Sequence, residues 1–297
     1  MLPDAYALAV AVADAIVMDG RALRDEIVAA LRAEITAAGS PPVCLTTVLV
    51  GDDGPSHTYV RSKHRLAAAA GLQSRNIELP ADTSQGRVEA AVAELAADRA
   101  VHGILVQLPL PDGLDADAVL ALVPVEKDVD GLTDRSLGRL VRGEPGLVPC
   151  TPLGVMRLLD RYGVTVAGKR AVVVGRSTLV GLPLALLLAR KGVDATVTIA
   201  HSRTADLVEV CRQSDIVVAA AGQAHVITGE HVKPGAAVVD IGMSRTEGGI
   251  VGDVDYAAAS EVAGWITPMP GGTGPMTVAC LMENTVAAAH LQGAFPA

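Results

Sequence analysis

The chain has 297 residues, a formal net charge of −9 and a hydrophobic fraction of 50%, although only 2% of its residues are aromatic. This length favours two domains, and the many Ala, Val and Leu residues can fill two aliphatic cores. The acidic charge and the scarcity of aromatic rings argue against a nucleic-acid-binding protein, because such proteins usually present a basic surface and rings on which bases stack.

The four cysteines lie far apart, and the sequence has neither a C-x-x-C pair nor two histidines at metal-ligand spacing. This pattern is typical of reduced thiols in a cytoplasmic protein rather than of a disulfide framework or a zinc site. We therefore expect a cytoplasmic location and no bound metal. The residues concerned are Cys44, Cys150, Cys211 and Cys280.

The amino-terminal residues 1–14 are interpreted as an irregular extension, with the folded chain beginning near Ala15. The apolar run 5–17 has no preceding Lys or Arg and contains Asp14, so it does not resemble a signal peptide. The run is also too short for a membrane span, and no membrane association is expected.

The first half of the chain alternates strand and helix signals, which predicts a parallel α/β sheet. Ser56 is the expected N-cap of a helix that ends at Gly71. The predicted helices cover 21–38, 57–70, 85–98 and 115–122, and the predicted strands cover 43–50, a segment that ends at Leu79, and 101–108.

The second half begins with a helix that links the two halves, with Thr151 as its expected N-cap and Pro152 at its first position. Its strands are predicted near 170–174, 195–200, 215–219, 236–240 and 262–266, and a final helix near 275–290 is expected to return to the first domain. The predicted domains are therefore 15–151 plus 276–297, and a Rossmann-type dinucleotide-binding domain over 152–275.

A glycine-bearing loop follows the β-branched run Val172–Val174 and leads into an apolar helix. Gly175 and Gly181 let the backbone approach a ligand, and the free amides of the helix start favour a phosphate. The loop departs from the usual G-x-G-x-x-G spacing, because Ser177 takes the place of the second glycine. An ordinary strand-to-helix turn is the alternative interpretation.

The end of the next strand favours NADP over NAD. NAD sites usually carry a carboxylate there to bind the ribose 2′-hydroxyl, but this chain has Ser202 and Arg203 instead. Together with Arg176 of the glycine loop, these side chains suit a 2′-phosphate, because arginine forms forked, charge-assisted hydrogen bonds to phosphate oxygens.

Four polar or glycine-rich features are candidates for chemistry. Tyr59 and Lys63 are four residues apart and share one helix face, where a partly desolvated lysine can exchange protons near neutral pH. Gln107 ends a buried strand at the edge where α/β sheets place ligands. Asp130 lies in an acidic turn and can pair with a nitrogen-rich ring. The loop 268–277 exposes backbone to a flat ligand.

Taken together, these motifs resemble the bifunctional methylenetetrahydrofolate dehydrogenase/methenyltetrahydrofolate cyclohydrolase family. The resemblance covers almost the whole chain from about residue 15. The matching motifs, in collinear order, are YVRSK (59–63), VQLPLP (106–111), KDVDG (127–131), PCTP (149–152), GRSTLVG (175–181), HSRT (201–204), DIG (240–242), GDVD (252–255) and PGGTGPMT (270–277).

The resemblance implies two α/β domains with a cleft between them, usually in a homodimer, and it implies a role for each matched residue. Lys63 would handle the proton, Gln107 would bind and tune Lys63, and Tyr59 would border the folate ring. Asp130 would anchor the pterin-like ring. The residues implied to line the folate cleft are Pro270, Gly271 and Gly272, and those implied to hold NADP are Gly175, Arg176, Ser177, Ser202, Arg203 and Ile241.

Three positions depart from the family pattern. Thr273 stands where valine is common, Ser244 where asparagine is frequent, and Leu182 where a basic residue is frequent. Alternative functions are a monofunctional NAD-linked dehydrogenase and a non-catalytic folate or nucleotide binder. A short-chain dehydrogenase is rejected, because there the Y-x-x-x-K motif follows the nucleotide loop, whereas here Lys63 precedes Gly175.

Overall fold

The computed structural model describes residues 14–246 and 249–296, so the predicted extension lies almost wholly outside the described residues. Within these two ranges, no helix combines the length and the apolar character that crossing a bilayer requires. The strands are β1 (Ile16–Val17), β2 (Cys44–Val50), β3 (Gln73–Leu79), β4 (Gly103–Val106), β5 (Arg170–Val174), β6 (Thr196–Ala200), β7 (Ile216–Ala219), β8 (Ala237–Asp240), β9 (Ser244–Thr246), β10 (Gly249–Val251) and β11 (Trp265–Ile266). The helices are α1 (Gly20–Ala37), α2 (Gly54–Ala70), α3 (Gln85–Ala97), α4 (Ala116–Leu120), α5 (Asp134–Arg142), α6 (Cys150–Arg161), α7 (Gly181–Ala189), α8 (Leu207–Arg212), α9 (Tyr256–Ser260) and α10 (Thr273–Leu291).

The smaller sheet is parallel and has the strand order β3-β2-β4. Every residue of the central strand β2 is buried, because this strand has a neighbour on each side and packs against α2 and α3. Gln107 directly follows β4, so it lies at the carboxyl edge of the sheet, where α/β proteins bind their ligands.

The larger sheet is also parallel and has the strand order β1-β11-β8-β7-β5-β6. From β5 the chain continues to β6 on one side and then crosses to β7 on the other side. Ligands of dinucleotide-binding sheets occupy the crevice at such a reversal of strand order, here at the carboxyl ends of β5 and β7.

Two parallel α/β sheets were predicted, the second of Rossmann type, and the structure confirms this fold class. The domain boundaries at 151/152 and 275/276 stay predictions. The short strand β1 falls within the first predicted range, and it pairs with β11 at the edge of the larger sheet.

The carboxyl-terminal helix α10 packs against α6, α1 and α2, which confirms its predicted return to the first domain. Gly154 permits the close crossing of α6 and α10, since a Cβ there would lie 2.8 Å from Cβ of Met276. Leu281 and Val286 are among the side chains that α10 buries. Burial of a side chain of this size contributes about 1.5–3 kcal/mol to folding.

Two helix starts differ from the predictions. The N-cap of α2 is Asp53 rather than Ser56. The backbone N and the Oγ of Ser56 both donate to the Asp53 carboxylate, at 2.9 and 2.7 Å. An ionised acceptor three residues upstream replaces the predicted hydroxyl cap. Helix α6 begins at Cys150, and the hydroxyl of Thr151 forms a 2.9 Å hydrogen bond with that of Thr277 instead of capping the helix.

Candidate active site

Lys63 and Gln107 meet at the carboxyl edge of the smaller sheet. Lys63 projects from α2, and its Nζ donates to Oε1 of Gln107 at 2.9 Å. The amide nitrogen of Gln107 donates to the carbonyl of Leu108 at 2.7 Å. This second hydrogen bond fixes the orientation of the amide, so that its oxygen faces the lysine.

The pKa of Lys63 is lowered by burial, and the negative charge of Asp130 opposes this shift. Burial likewise raises the pKa of Asp130, and Lys63 opposes that shift. Lys63 and Asp130 retain some exposure to solvent, yet desolvation is the largest cause of both shifts. Because desolvation enlarges the fraction of neutral amine near neutral pH, Lys63 is suited to exchange protons.

The turn that carries Asp130 is built by its acidic neighbour Asp128. The Asp128 carboxylate accepts hydrogen bonds from the backbone amides of Gly131 and Thr133, at 3.0 and 2.9 Å, and from the hydroxyl of Ser136 at 2.6 Å. Asp128 therefore has a structural role, whereas the charge of Asp130 acts on the pKa of Lys63.

Lys127 of the same motif is also structural. This side chain is buried, and its Nζ donates to the carbonyls of Leu95, Ala96 and Asp98 at 3.1, 2.9 and 2.7 Å. Three carbonyls at the end of α3 thus satisfy the ammonium group, and the contact ties the motif to that helix.

Cys150 is a neighbour of the site that the sequence interpretation treated only as an isolated thiol. Its Sγ lies 3.3 Å from the carbonyl of Val129, and Nδ2 of Asn284 lies 3.6 Å from the sulfur. Burial raises the pKa of this thiol well above its ordinary value, so it is neutral beside Lys63 and Asp130. Its place in the PCTP motif was the available signal.

Tyr59 reaches from α2 to the larger sheet rather than to Lys63. Its hydroxyl lies 3.3 Å from Sδ of Met243, which follows β8. Both side chains are exposed, at 43% and 48%. The contact brings the two sheets to one cleft, and Tyr59 forms part of the cleft wall.

The predicted loop 268–277 ends at Gly272, because α10 begins at Thr273, and the glycine-rich segment 270–272 packs closely against the start of α1. The backbone N of Gly20 donates to the carbonyl of Gly271 at 3.0 Å, and a Cβ at Gly20 would collide with the carbonyl of Gly272. Pro270 is exposed. The hydroxyl of Thr273 donates to the carbonyl of Asp240 at 2.8 Å, an interaction that the valine common in the family cannot make.

The glycine loop after β5 is shaped by close backbone contacts. Gly175 has a φ of +136°, and a Cβ there would collide with the carbonyl of Ala220. A Cβ at Gly181 would likewise collide with the carbonyl of Gly175. Oγ of Ser177 accepts from the backbone N of Val180 at 3.2 Å, which closes the loop. Such a loop leaves room for a phosphate against its backbone.

The predicted cofactor residues surround the carboxyl edge of the larger sheet. Arg176, Ser202 and Arg203 are exposed, and neither guanidinium forms an ion pair with a carboxylate of the described residues. Ile241 follows β8 and is partly buried. The free cations, the glycine cradle and the lack of a carboxylate at the end of β6 fit NADP.

Comparison with known proteins places this site in a family. The model of the tetrahydrofolate dehydrogenase/cyclohydrolase catalytic domain matches residues 18–130, and that of the family's NAD(P)-binding domain matches residues 149–293. The chain belongs to the tetrahydrofolate dehydrogenase/cyclohydrolase family. The resemblance found in the sequence is thereby confirmed.

Relatives in this family match over nearly their whole length. The chain is 53% identical to "Bifunctional protein FolD 2" of Frankia alni over 279 residues, which cover 93% of this chain and 96% of the relative. It is also 53% identical to "Bifunctional protein FolD" of Acidiphilium cryptum over 277 residues, which cover 92% of this chain and 97% of that relative.

Solved structures of the family have the same fold. The bifunctional FolD enzyme of Campylobacter jejuni has 42% identity and a TM-score of 0.90, with 93% of this chain and 98% of that chain covered. The Trypanosoma brucei enzyme, solved with NADP and an inhibitor, has 41% identity and a TM-score of 0.88, with 94% and 98% covered.

Proposed function

We propose that this chain is a bifunctional enzyme of one-carbon folate metabolism. It oxidises 5,10-methylenetetrahydrofolate to 5,10-methenyltetrahydrofolate with NADP, and it hydrolyses that product to 10-formyltetrahydrofolate. The observation that carries the proposal is the hydrogen bond of 2.9 Å between Lys63 and Gln107, at the cleft that Tyr59 and Met243 span.

The dehydrogenase step depends mainly on alignment. NADP, when bound, supplies the hydride acceptor. Arg176, Ser177, Ser202 and Arg203 would hold its phosphates, and Gly175 and Ile241 would border it. Asp130 would hold the pterin-like ring, and the backbone of Pro270, Gly271 and Gly272 would line the cleft on the folate side, so that the reacting carbons face each other.

The cyclohydrolase step needs a group that moves protons. Water adds to the carbon of the methenyl cation, and the neutral amine of Lys63 accepts the proton that the water loses. The lysine then returns a proton to the ring nitrogen as the bond between that nitrogen and the carbon breaks. The added hydroxyl releases its proton to solvent at the same time, so that its oxygen becomes the formyl carbonyl on the other nitrogen. Gln107 holds Nζ in place during both transfers.

The proposed division of the chain assigns one reaction partner to each domain. Residues 15–151 and 276–297 would form the folate-binding catalytic domain, and residues 152–275 the NADP-binding domain. A cytoplasmic location is supported by the four cysteines, which are all buried and free.

A homodimer through the NADP-binding domains is supported by one edge of the larger sheet. Among residues 14–246 and 249–296, β6 pairs only with β5, so its other edge has no strand partner there, and Ile199 on this strand is 41% exposed. Val141 and Leu182 extend the exposed apolar surface. Analytical ultracentrifugation should show a dimer that Ile199→Lys dissociates and that Leu291→Lys, on the exposed end of α10, leaves intact. A monomeric wild-type protein would contradict this proposal.

The activity is tested with purified full-length protein in two assays. NADPH formation from methylenetetrahydrofolate, with NADP and NAD supplied separately, measures the dehydrogenase. Loss of methenyltetrahydrofolate absorbance without nucleotide measures the cyclohydrolase. Both activities are expected, with NADP preferred. Binding of folate and nucleotide without turnover would instead establish a binding protein, and an NAD-linked dehydrogenase without hydrolysis would establish the monofunctional alternative.

A further inference from the structure

Two buried carboxylates, Asp240 and Asp253, belong to the DIG and GDVD segments of the larger sheet's half of the chain, and we refer to them as the carboxylate pair. Asp253 is fully buried, and its Oδ2 accepts hydrogen bonds from the backbone amides of Ala221 and Gly222, at 2.6 and 2.8 Å. Its Oδ1 has no hydrogen-bond partner among the described residues. Asp253 thus holds the two residues that come shortly after β7.

Asp240, at the end of β8, binds three further amides. Its Oδ1 accepts from the backbone N of Gly242 and of Asp253, at 3.0 and 2.9 Å, and its Oδ2 accepts from that of Val254 at 3.1 Å. A Cβ at Gly242 would collide with the carboxylate of Asp253. A Cβ at Gly252 would likewise collide with the carboxylate of Asp240. The DIG and GDVD motifs are therefore packed against each other, and a side chain at either glycine would displace the carboxylate of the other motif.

The carboxylate pair is connected to the proposed cofactor crevice through the loop after β7, whose amides Asp253 binds. The strand order reverses between β5 and β7, and a Cβ at Gly175 would collide with the carbonyl of Ala220. The loop that Asp253 holds is therefore packed against the glycine loop at the point where dinucleotides cross such sheets. On its other side the pair fixes Gly242, the neighbour of Ile241 and Met243.

We propose that Asp253 is a positioning residue for NADP, which acts through the amides of Ala221 and Gly222. The inference rests on the proposed NADP-dependent function. When the carboxylate is removed, these amides lose their acceptor and turn to water, because both residues are exposed. The loop beside Gly175 then loses its fixed position. The cyclohydrolase site at Lys63 belongs to the other sheet and does not depend on this loop.

Three variants test the proposal. Asp253→Ala removes the acceptor, whereas Asp253→Asn retains an oxygen for both amides. Asp215→Asn is the matched control, because Asp215 also accepts a backbone amide, from Arg170 at 3.0 Å, but lies at the opposite edge of the same sheet. NADPH affinity is measured by fluorescence titration without folate, and methenyltetrahydrofolate hydrolysis is measured without nucleotide.

Asp253→Ala should weaken NADPH binding at least about tenfold relative to wild type, with hydrolysis within about twofold of wild type. Asp253→Asn and Asp215→Asn should bind NADPH like wild type. If Asp253→Ala does not fold, Asp253→Ser takes its place, because the serine side chain cannot reach both amides. The same loss of NADPH affinity and the same unchanged hydrolysis are expected of it.

Unchanged NADPH affinity in Asp253→Ala would overturn the proposal, and so would equal losses of binding and hydrolysis. An Asp253→Asn variant as weak as Asp253→Ala would overturn the role of the amides. Failure of the proposed function would be recognised separately, because the wild-type protein itself would then lack activity or NADPH binding.

Discussion

Nζ of Lys63 lies 2.9 Å from Oε1 of Gln107, and the amide that supplies this oxygen is held by the carbonyl of Leu108. Gln107 is therefore a fixed hydrogen-bond acceptor for one N–H of the lysine. The rest of the amino group remains available for proton transfer. Gln107→Ala should slow methenyltetrahydrofolate hydrolysis by about tenfold or more, because a hydrogen bond to a charged group is worth about 1.5–3 kcal/mol.

The effect of Gln107→Ala should be smaller on NADPH formation than on hydrolysis, since hydride transfer needs no proton relay. Steady-state rates of the two reactions on the same preparation measure the difference. A larger loss of dehydrogenase than of cyclohydrolase activity would show that Gln107 positions the folate rather than the lysine.

The pH dependence of hydrolysis should respond to Asp130. The negative charge of Asp130 raises the pKa of Lys63 against the dominant effect of burial. Asp130→Asn removes that charge, so the pKa of Lys63 should fall further, and the acid limb of the hydrolysis rate should move to lower pH. A pH–rate profile of the residual activity measures the shift. An acid limb that moved to higher pH would contradict the coupling of these two groups.

Much of the fold follows from local patterns, but the cleft depends on distant contacts. The β-branched run Val172–Val174 predicted β5 correctly because a buried central strand needs such residues. No element was predicted for Asp134–Arg142, yet this segment forms α5, which packs against α7. The contact between Tyr59 and Met243 joins residues 184 positions apart, and no periodicity predicts it.

The candidate site was predictable only where a motif stood out from its surroundings. Gln107 was noticed because an amide is unusual at the end of a buried strand. Asp253 lies in the matched GDVD motif, but nothing marked it as a buried residue, because an acidic residue beside glycine is typical of a surface turn. Only the structure shows that this residue is fully buried and binds the amides of Ala221 and Gly222.

Arg203 should distinguish the two nucleotides. Arg203→Ala should weaken NADP use by about 1.5–3 kcal/mol, the value of one charge-assisted hydrogen bond, and leave the NAD-dependent rate nearly unchanged. Arg176→Ala should act in the same direction with a smaller effect. The measurement is kcat/KM for each of the two nucleotides. The control is Arg212→Ala, since Arg212 is exposed on α8. Equal losses for NADP and NAD would show that Arg203 does not contact the 2′-phosphate.

Asp240 should make the stability of the fold depend on pH. Burial raises the pKa of Asp240 to about 6, from the ordinary value of 3.8, and the backbone amides that it accepts oppose this shift. The folded state thus favours the protonated carboxyl. This contribution to the free energy of unfolding is present below pH 3.8 and is lost as the pH rises through about 6.

The contribution of Asp240 to the free energy of unfolding that is lost in this way can reach about 3 kcal/mol. The free energy of unfolding of the wild-type protein and of Asp240→Asn is measured with denaturant at each pH. Between about pH 4 and about pH 6 the wild-type protein should lose stability relative to the variant. Parallel stability curves over this range would contradict the raised pKa.

The central claim is that Lys63 moves the proton in hydrolysis. Lys63→Met keeps an unbranched side chain and removes the amine, and Arg65→Met, an exposed position on the same helix, is its control. The decisive measurement is methenyltetrahydrofolate hydrolysis and NADPH formation on the same preparations. Lys63→Met should hydrolyse at least about 100-fold more slowly while it still forms NADPH, and Arg65→Met should keep both activities. Hydrolysis by Lys63→Met at a rate near that of the wild-type protein would contradict the assignment.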